Sequence, residues 1–205
     1  EYNTRSDVQK KVAKSLVNLL PSIRSPKILE IGCGTGFLTE LILEKYPDGI
    51  IDATDISANM ISLCKKKLNR HNLRIFEMDG EDPKKISNSY DLIISSMVFQ
   101  WFEKPRESLD KLNEIAPVYY STIGNKNFIE WKTILKKNNL SSSTFEEPLW
   151  PGLIKEEFFR SSYPNAIAFL RMLKKTGIST SQTSHVQLSI TQLKNITRIF
   201  DSKLN

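Results

Sequence analysis

Short apolar runs alternate with amphipathic stretches along the first 125 or so residues. The apolar runs predict five β-strands, at Lys27–Ile31, Ile50–Thr54, Leu73–Met78, Tyr90–Ser95 and Val118–Ile123. Apolar residues at helical spacing predict one helix before the first strand, at Asp7–Leu20, and helices between later strands, at Phe37–Tyr46, Ser57–Asn69 and Pro105–Ile115. Strands that alternate with helices indicate a parallel sheet covered on both faces. We therefore predict an α/β fold with a doubly wound, mainly parallel sheet.

The later part of the chain has a different pattern. Three amphipathic stretches, Phe128–Lys137, Ala166–Lys175 and Thr191–Phe200, occur without a strong strand signal. We expect one domain over residues 1–205, with a core sheet at about 27–123. Additional helices, at about 124–205, are expected to cover the active site. Only Ala116 and Pro117 separate the fourth helix from the fifth strand, which suggests that the sequence lacks residues there.

Composition narrows the class of protein. The chain has 205 residues, 40% hydrophobic and 25% charged, as expected for a globular domain and not for a disordered chain. No signal peptide is recognised and no apolar run approaches the roughly 18 residues that span a bilayer. Since no such run occurs, we expect no membrane partner. Two cysteines cannot build a disulfide framework, so we expect a cytoplasmic protein. The net charge of +6 favours an acidic partner or substrate.

Glycines dominate the turn after the first strand, in the run Glu30-Ile31-Gly32-Cys33-Gly34-Thr35-Gly36. Glycine permits a tight turn and lets the backbone approach a ligand closely. The spacing is not the Gly-x-Gly-x-x-Gly of dinucleotide binding, and the carboxylate of Glu30 would repel a phosphate. The loop therefore predicts a ligand that carries an ammonium and a sulfonium group.

Two further acids follow the next two strands. Asp55 closes the second strand and can accept both hydroxyls of an unphosphorylated ribose. Asp79 and Gly80 end the third strand, where a carboxylate can accept the exocyclic amine of adenine. Each acid alone could cap a helix, but their order along three strand ends predicts one adenosine-plus-amino-acid ligand at the carboxyl edge of the sheet.

With these residues, the stretch Lys27–Ile123 resembles the class I S-adenosylmethionine-dependent methyltransferases. The resemblance implies a Rossmann-like fold, methyl transfer, and S-adenosyl-L-methionine as cofactor. It implies that Glu30, Gly32 and Gly34 hold the methionine part, Asp55 the ribose and Asp79 the adenine amine. The remaining cofactor residues that we expect are Ile56, Met60, Gly80 and Ser95. The sheet of that family has seven strands, whereas five are predicted here.

The segment Ser95–Phe102 is similar to the Ser-Asn-x-x-x-Gln-Trp run of the malonyl-acyl-carrier-protein O-methyltransferases of biotin synthesis, with Ser96 in place of the Asn. Residues 170–177 and 188–193 also resemble late motifs of that family. The resemblance implies O-methylation of the free carboxylate of a malonyl thioester, carried by acyl carrier protein or coenzyme A. We expect a monomer and no nucleic-acid partner.

Several residues are candidates for handling the substrate. Tyr2, Gln100 and Trp101 are expected to align the reactants, with Trp101 also contacting the substrate. Arg171 and Lys174 lie three residues apart on one predicted helical face and could pair with one anion, although a solvated basic face is the alternative. A malonyl carboxylate is already ionised at pH 7, so neither a general base nor a metal is expected.

Three other interpretations remain open on the sequence alone. Another small-molecule methyltransferase, acting on a free carboxylic acid or a quinone precursor, would have the same glycine loop. An RNA-modifying or nucleic-acid-binding module would account for the positive charge, but no recognised nucleic-acid motif occurs. A catalytically dead relative could retain the cofactor fold.

Overall fold

The computed structural model describes residues 3–83, 86, 89–140, 150–175 and 188–202. The chain divides into two compact units, one ending at Thr122 and the other beginning at Ile123. Tyr2 lies outside the described residues, so its expected role stays a prediction. Among the helices described, none combines the length and apolarity that crossing a bilayer requires.

The first unit contains a five-stranded sheet. Its strands, β1 to β5 in chain order, are Lys27–Ile31, Ile50–Asp55, Leu73–Glu77, Leu92–Ser96 and Val118–Ser121. They pair in the order β3-β2-β1-β4-β5, and every pair is parallel. The predicted α/β fold with a parallel sheet is confirmed. Strand order reverses between β1 and β4, and ligands of such sheets bind in the crevice beyond the carboxyl ends at that point.

Among its described residues, this unit has four α-helices: α1 (Asn3–Leu19), α2 (Phe37–Lys45), α3 (Ala58–Lys67) and α4 (Pro105–Ile115). Helix α1 starts four residues before the predicted position, because the polar residues that open it carry no apolar periodicity. Ser57 caps α3, its hydroxyl accepting the N–H of Met60. Ala116 and Pro117 alone join α4 to β5, and the carbonyl of Pro117 accepts the N–H of Ile93 on β4.

A buried acid joins β2 to β3 and to the segment just before β4. Asp52 is fully buried, and its Oδ1 accepts the Nε–H of Arg74 at 2.6 Å. The hydroxyl of Tyr90 donates to Asp52 Oδ2 at 2.6 Å. Burial raises the pKa of Asp52, but the hydrogen bonds from Arg74 and Tyr90 outweigh burial and leave the pKa below its usual value. Tyr90, predicted within β4, therefore acts as a hydrogen-bond donor just before that strand.

The second unit contains the helices α5 (Ile129–Lys137), α6 (Ala166–Lys175) and α7 (Ile190–Asp201), close to the three predicted stretches. Its core is rich in aromatic rings: Trp131 and Phe169 are buried, and half-buried Phe200 packs against them. Residues 151–162 are exposed and form neither helix nor strand. The expectation that these helices cover the active site stays a prediction.

Candidate cofactor and substrate site

Positive φ angles shape the glycine loop between β1 and α2. Gly32 has φ +74°, and a Cβ there would lie 2.3 Å from Val98 Cγ2. Gly34 has φ +53°, and a Cβ there would meet nothing within 4 Å. Gly32 is therefore required for packing inside the protein. Gly34, by contrast, presents its backbone to open space, where a ligand can approach.

Asp55 supports this loop from the end of β2. Its Oδ2 accepts the N–H of Gly34 at 2.9 Å, and its Oδ1 accepts the N–H of Ser57 at 2.9 Å. Each carboxylate oxygen has a second lone pair, so both can also accept a ribose hydroxyl. Ile56, 68% exposed, follows directly, and half-buried Met60 lies one turn further along α3. An exposed isoleucine beside a half-buried carboxylate suits the flat face of a base next to its ribose.

Asp79 lies in the turn beyond β3, exposed to solvent. Its Oδ1 accepts the N–H of Glu81 at 2.9 Å. Gly80 is buried, and a Cβ there would lie 2.6 Å from Ile31 Cγ2 and 2.8 Å from Phe102 Cζ. The turn therefore packs tightly against β1 while Asp79 stays accessible to an amine.

Glu30 is placed differently from the other two acids. It is fully buried on β1, and its Oε2 accepts the hydroxyl of Thr39 at 2.6 Å. Its Oε1 is buried without a hydrogen-bond partner. Burial raises the pKa of Glu30 to about 8, and the Thr39 hydrogen bond offsets part of that rise. The unpartnered Oε1 can accept a hydrogen bond from a cationic group, and the positive charge of that group would lower the pKa of Glu30 and favour its ionised form.

These residues fit an adenosyl cofactor with a cationic amino-acid part. Glu30, Asp55 and Asp79 lie at or just beyond the carboxyl ends of three neighbouring strands, β1, β2 and β3. The three acids therefore share one edge of the sheet. The open backbone at Gly34 and the unpartnered Glu30 Oε1 lie at the β1 end of that edge.

The segment after β4 holds its polar side chains in fixed contacts. Ser95 is fully buried, and its hydroxyl donates to the Ile31 carbonyl at 3.0 Å, so it joins β4 to β1 instead of facing the open edge. Gln100 Nε2 donates to the Met97 carbonyl at 2.7 Å, and its Oε1 accepts the Thr122 hydroxyl at 3.2 Å. Met97 has φ +59°, a turn that the sequence did not indicate.

Trp101 ends a short 3-10 helix, Phe99–Trp101, and is 44% exposed. Its neighbour Phe99 is fully buried, with ring centroids 5.0 Å from Phe102 and 5.1 Å from Tyr120. The two phenylalanines therefore anchor the segment while the indole remains available for contact.

Arg171 and Lys174 belong to the second unit. Both are exposed on α6, on the side away from buried Phe169 and Leu173. The structure thus describes them as two accessible cations on one helix face, and their contact with a substrate stays a prediction.

Sequence reasoning missed two polar residues that shape the site. Thr39 is fully buried and binds Glu30 from α2. Glu81 accepts backbone N–H groups from the segment after Trp101. Thr39 carries a weak signal, since a threonine on an otherwise apolar helix face needs a partner. Glu81 has no comparable sequence signal, because it is one of several charged residues in a polar turn.

Comparison with known proteins identifies the family. A family model described as "Methyltransferase domain" matches residues 29–116. The malonyl-[acyl-carrier protein] O-methyltransferase of Priestia megaterium is 34% identical, with 88% of this chain and 77% of that protein covered. The biotin biosynthesis bifunctional protein BioCD of Bordetella avium is 31% identical, with 98% of this chain and 46% of that protein covered.

One solved structure shows the fold. It is the complex between the Haloferax volcanii Trm112 methyltransferase activator and a methyltransferase, with TM-score 0.53 and 18% identity, covering 57% of this chain and 53% of that chain. Sequence relatives and fold converge on the same class. The chain therefore belongs to the malonyl-[acyl-carrier protein] O-methyltransferase family of class I methyltransferases, and S-adenosyl-L-methionine is its cofactor.

Proposed function

We propose that this protein transfers a methyl group to the free carboxylate of a malonyl thioester, with acyl carrier protein as the carrier. One observation supports this most strongly, namely 34% identity to a protein of that named activity across 88% of the chain. The Gln100-Trp101 pair adds local support, since Gln100 is held by Met97 and Thr122 while Trp101 stays exposed beside the sheet edge.

The side chains of the site suit a reaction that needs alignment more than acid–base chemistry. When bound, the cofactor supplies an electrophilic methyl group on a sulfonium. The substrate carboxylate, with an ordinary pKa near 4, is ionised at pH 7 and needs no base. The task of the protein is to hold both reactants in line, an effect worth up to roughly 7–11 kcal/mol in favourable cases. Asp55 and Asp79 would fix the adenosine, and Trp101 would wall the approach of the malonyl group.

Positive charge supports an acidic carrier. The chain has a net charge of +6, and Arg171 and Lys174 are exposed on one face of α6. We propose that these two cations pair with the incoming carboxylate or with acidic groups of the carrier, because a carboxylate that leaves water needs a partner.

Three further attributes are proposals of the same kind. The free, buried thiols Cys33 and Cys64 suit a reducing compartment, so we propose a cytoplasmic location. We also propose that the enzyme is a monomer and that malonyl-coenzyme A can replace the carrier protein at lower efficiency.

The test offers S-adenosylmethionine with malonyl-acyl carrier protein, malonyl-coenzyme A, free malonate and a quinone precursor, and detects methyl esters or ethers by mass spectrometry. We expect methyl ester on the two thioesters, with the carrier protein used most efficiently. A matched control is the thioester whose free carboxylate is already methylated, which should accept nothing. Methylation of the free acid or the quinone precursor alone would replace the malonyl assignment with the small-molecule alternative.

A further inference from the structure

The carboxylate of Glu81 joins two loops of the site that are far apart in sequence. Glu81 Oε2 accepts the N–H of Glu103 at 2.9 Å, and its Oε1 accepts the N–H of Lys104 at 2.8 Å. The hydroxyl of Ser108 on α4 lies 3.3 Å from the same Oε1. One half-buried side chain therefore satisfies two backbone donors at the start of α4, a helix with no side-chain hydrogen bond from its own N-cap residue.

On the β3 side, Glu81 belongs to the turn that carries Asp79. The backbone N–H of Glu81 donates to Asp79 Oδ1 at 2.9 Å. This bond fixes the orientation of the carboxylate that is expected to meet the adenine amine. Any shift of the Glu81 backbone therefore moves Asp79 as well.

On the β4 side, the bound backbone follows Trp101 directly. Phe102 packs over Gly80, where an added Cβ would lie 2.8 Å from its ring. Glu103 and Lys104 are then held by the Glu81 carboxylate. Trp101 thus projects from a segment anchored on the Asp79 turn by a ring contact and two hydrogen bonds.

We propose that Glu81 is a positioning residue that couples cofactor binding at Asp79 to the placement of Trp101 against the substrate. The proposal has two halves. Its cofactor half, the binding of the cofactor at Asp79, rests on the family assignment. Its substrate half, the placement of Trp101 against the substrate, rests on the proposed function. Glu81 touches neither reactant in this scheme. It transmits the position of one loop to the other, because its backbone N–H holds Asp79 and its side chain holds the residues after Trp101.

Hydrogen exchange with S-adenosylhomocysteine tests the cofactor half without any substrate. In the wild-type protein, the ligand should slow exchange of the Glu103 and Lys104 amides by about 5-fold or more, within the usual range of coupling between sites. In Glu81→Ala the slowing at these amides should disappear, while amides near Asp55 remain protected by the ligand. Glu81→Gln is nearly isosteric and keeps one acceptor oxygen, so it should show an intermediate effect and guards against simple misfolding.

Glu107→Gln is the matched control. Glu107 is an exposed acid in the first turn of α4, 3.4 Å from the Lys104 ammonium, and makes no bridge to the Asp79 turn. It should behave like wild type. The proposal is overturned if both Glu81 variants keep the ligand-induced slowing, if wild type shows none, or if the variants lose S-adenosylhomocysteine binding altogether.

Turnover tests the substrate half. Glu81→Ala should lower kcat with malonyl-acyl carrier protein by roughly 10-fold to 100-fold, because misplacing a reactant by about 1 Å has effects of that size. The KM for S-adenosylmethionine should rise by no more than about 5-fold, the size of the same coupling, since the contacts of Asp55 are intact. An unchanged kcat overturns the proposal. Failure of the wild-type enzyme on every malonyl thioester would instead refute the proposed function and leave the exchange experiment to decide on Glu81.

Discussion

Both units have a buried apolar core, and the second also has the long-range bond from the Ala166 N–H to Asp201 Oδ1, but the long-range polar contacts described are more numerous in the first unit. In the first unit, side-chain hydrogen bonds span long stretches of sequence, 21 residues from Gly34 to Asp55 and 38 from Asp52 to Tyr90. In the second unit, Phe169 has its ring centroid 5.6 Å from those of both Trp131 and Phe200. Long-range polar bonds fix the positions of individual atoms, as a polar cofactor requires. An aromatic core instead supplies stability with less directional detail.

Removing the central ring of the second unit should give the largest effect. Phe169→Ala should lower the free energy of unfolding of that unit by about 3–5 kcal/mol, because a buried ring leaves a cavity. Ile167→Ala, at a side chain 45% exposed on the same helix, should change it by no more than about 0.5 kcal/mol.

Hydrogen exchange of α5–α7 measures this loss of stability. Calorimetry with S-adenosylhomocysteine measures the cofactor affinity of the first unit. Cofactor affinity should be retained in Phe169→Ala, since the proposed cofactor residues all lie before Thr122. A parallel loss of affinity would show that the two regions do not behave separately.

Two glycine variants compare a packed position with an open position within the first unit. Gly32→Ala should lower the free energy of unfolding by about 2–4 kcal/mol, because the new Cβ meets Val98 and the φ of +74° is strained for alanine. Gly34→Ala should cost only about 1–2 kcal/mol, since its Cβ meets nothing within 4 Å. Urea denaturation of both variants checks the ranking, and the reverse order would contradict the packing described here.

Loss of the Asp55 carboxylate should act on binding more than on folding. Asp55→Ala should weaken S-adenosylhomocysteine binding by about 1–3 kcal/mol, through lost hydrogen bonds to the ribose and to the Gly34 amide. Calorimetry measures the change. Asp48→Ala, in the loop after α2, is a control that should leave affinity unchanged. Unaltered binding in Asp55→Ala would move the ribose elsewhere.

The buried Glu30 predicts a pH dependence of stability. Burial raises its pKa to about 8, well above the ordinary pKa of a glutamate, so between these two values the folded protein holds a proton that the unfolded chain releases. Its contribution to stability is therefore full at low pH and is lost as the pH rises toward 8, by at most about 1.4 kcal/mol per pH unit.

Glu30→Gln should remove that slope in the ligand-free protein, and denaturation at pH 5, 6, 7 and 8 measures it. Glu40→Gln, at an exposed acid 2.8 Å from the Lys67 ammonium, should leave the slope unchanged. Identical slopes for wild type and Glu30→Gln would mean that Glu30 is ionised throughout.

The smallest expected effect lies on α6. Arg171→Ala should raise the KM for malonyl-acyl carrier protein about 3-fold to 10-fold, the size of one exposed charge contact, while leaving the S-adenosylhomocysteine affinity unchanged. Steady-state kinetics at two salt concentrations checks this, with Arg198→Ala on α7 as the matched control. Equal loss of both affinities would indicate structural damage instead of a substrate contact.

The sequence predicted the sheet because strand and helix periods are local signals. It predicted the position of Asp55 at the end of β2 because the spacing after the glycine loop follows from the parallel topology. Glu81 was not predictable, since its partners Glu103 and Lys104 lie 22 and 23 residues away. The raised pKa of Glu30 was also not predicted, because its burial comes from packing around both β1 and α2. Ser95 shows a different limit of sequence patterns. A polar residue at a strand end can face a ligand or can join two strands, and the pattern does not distinguish the two.

The bonds that hold the glycine loop have an entropic consequence. Gly34 is fixed to Asp55, and the Cys33 N–H donates to the Thr54 carbonyl at 2.7 Å, so groups of the protein itself hold this backbone. The ordering of this backbone, about 1–2 kcal/mol per residue, is thus completed during folding and not during association. A preorganised loop lets the arriving molecule keep more of its interaction energy as affinity.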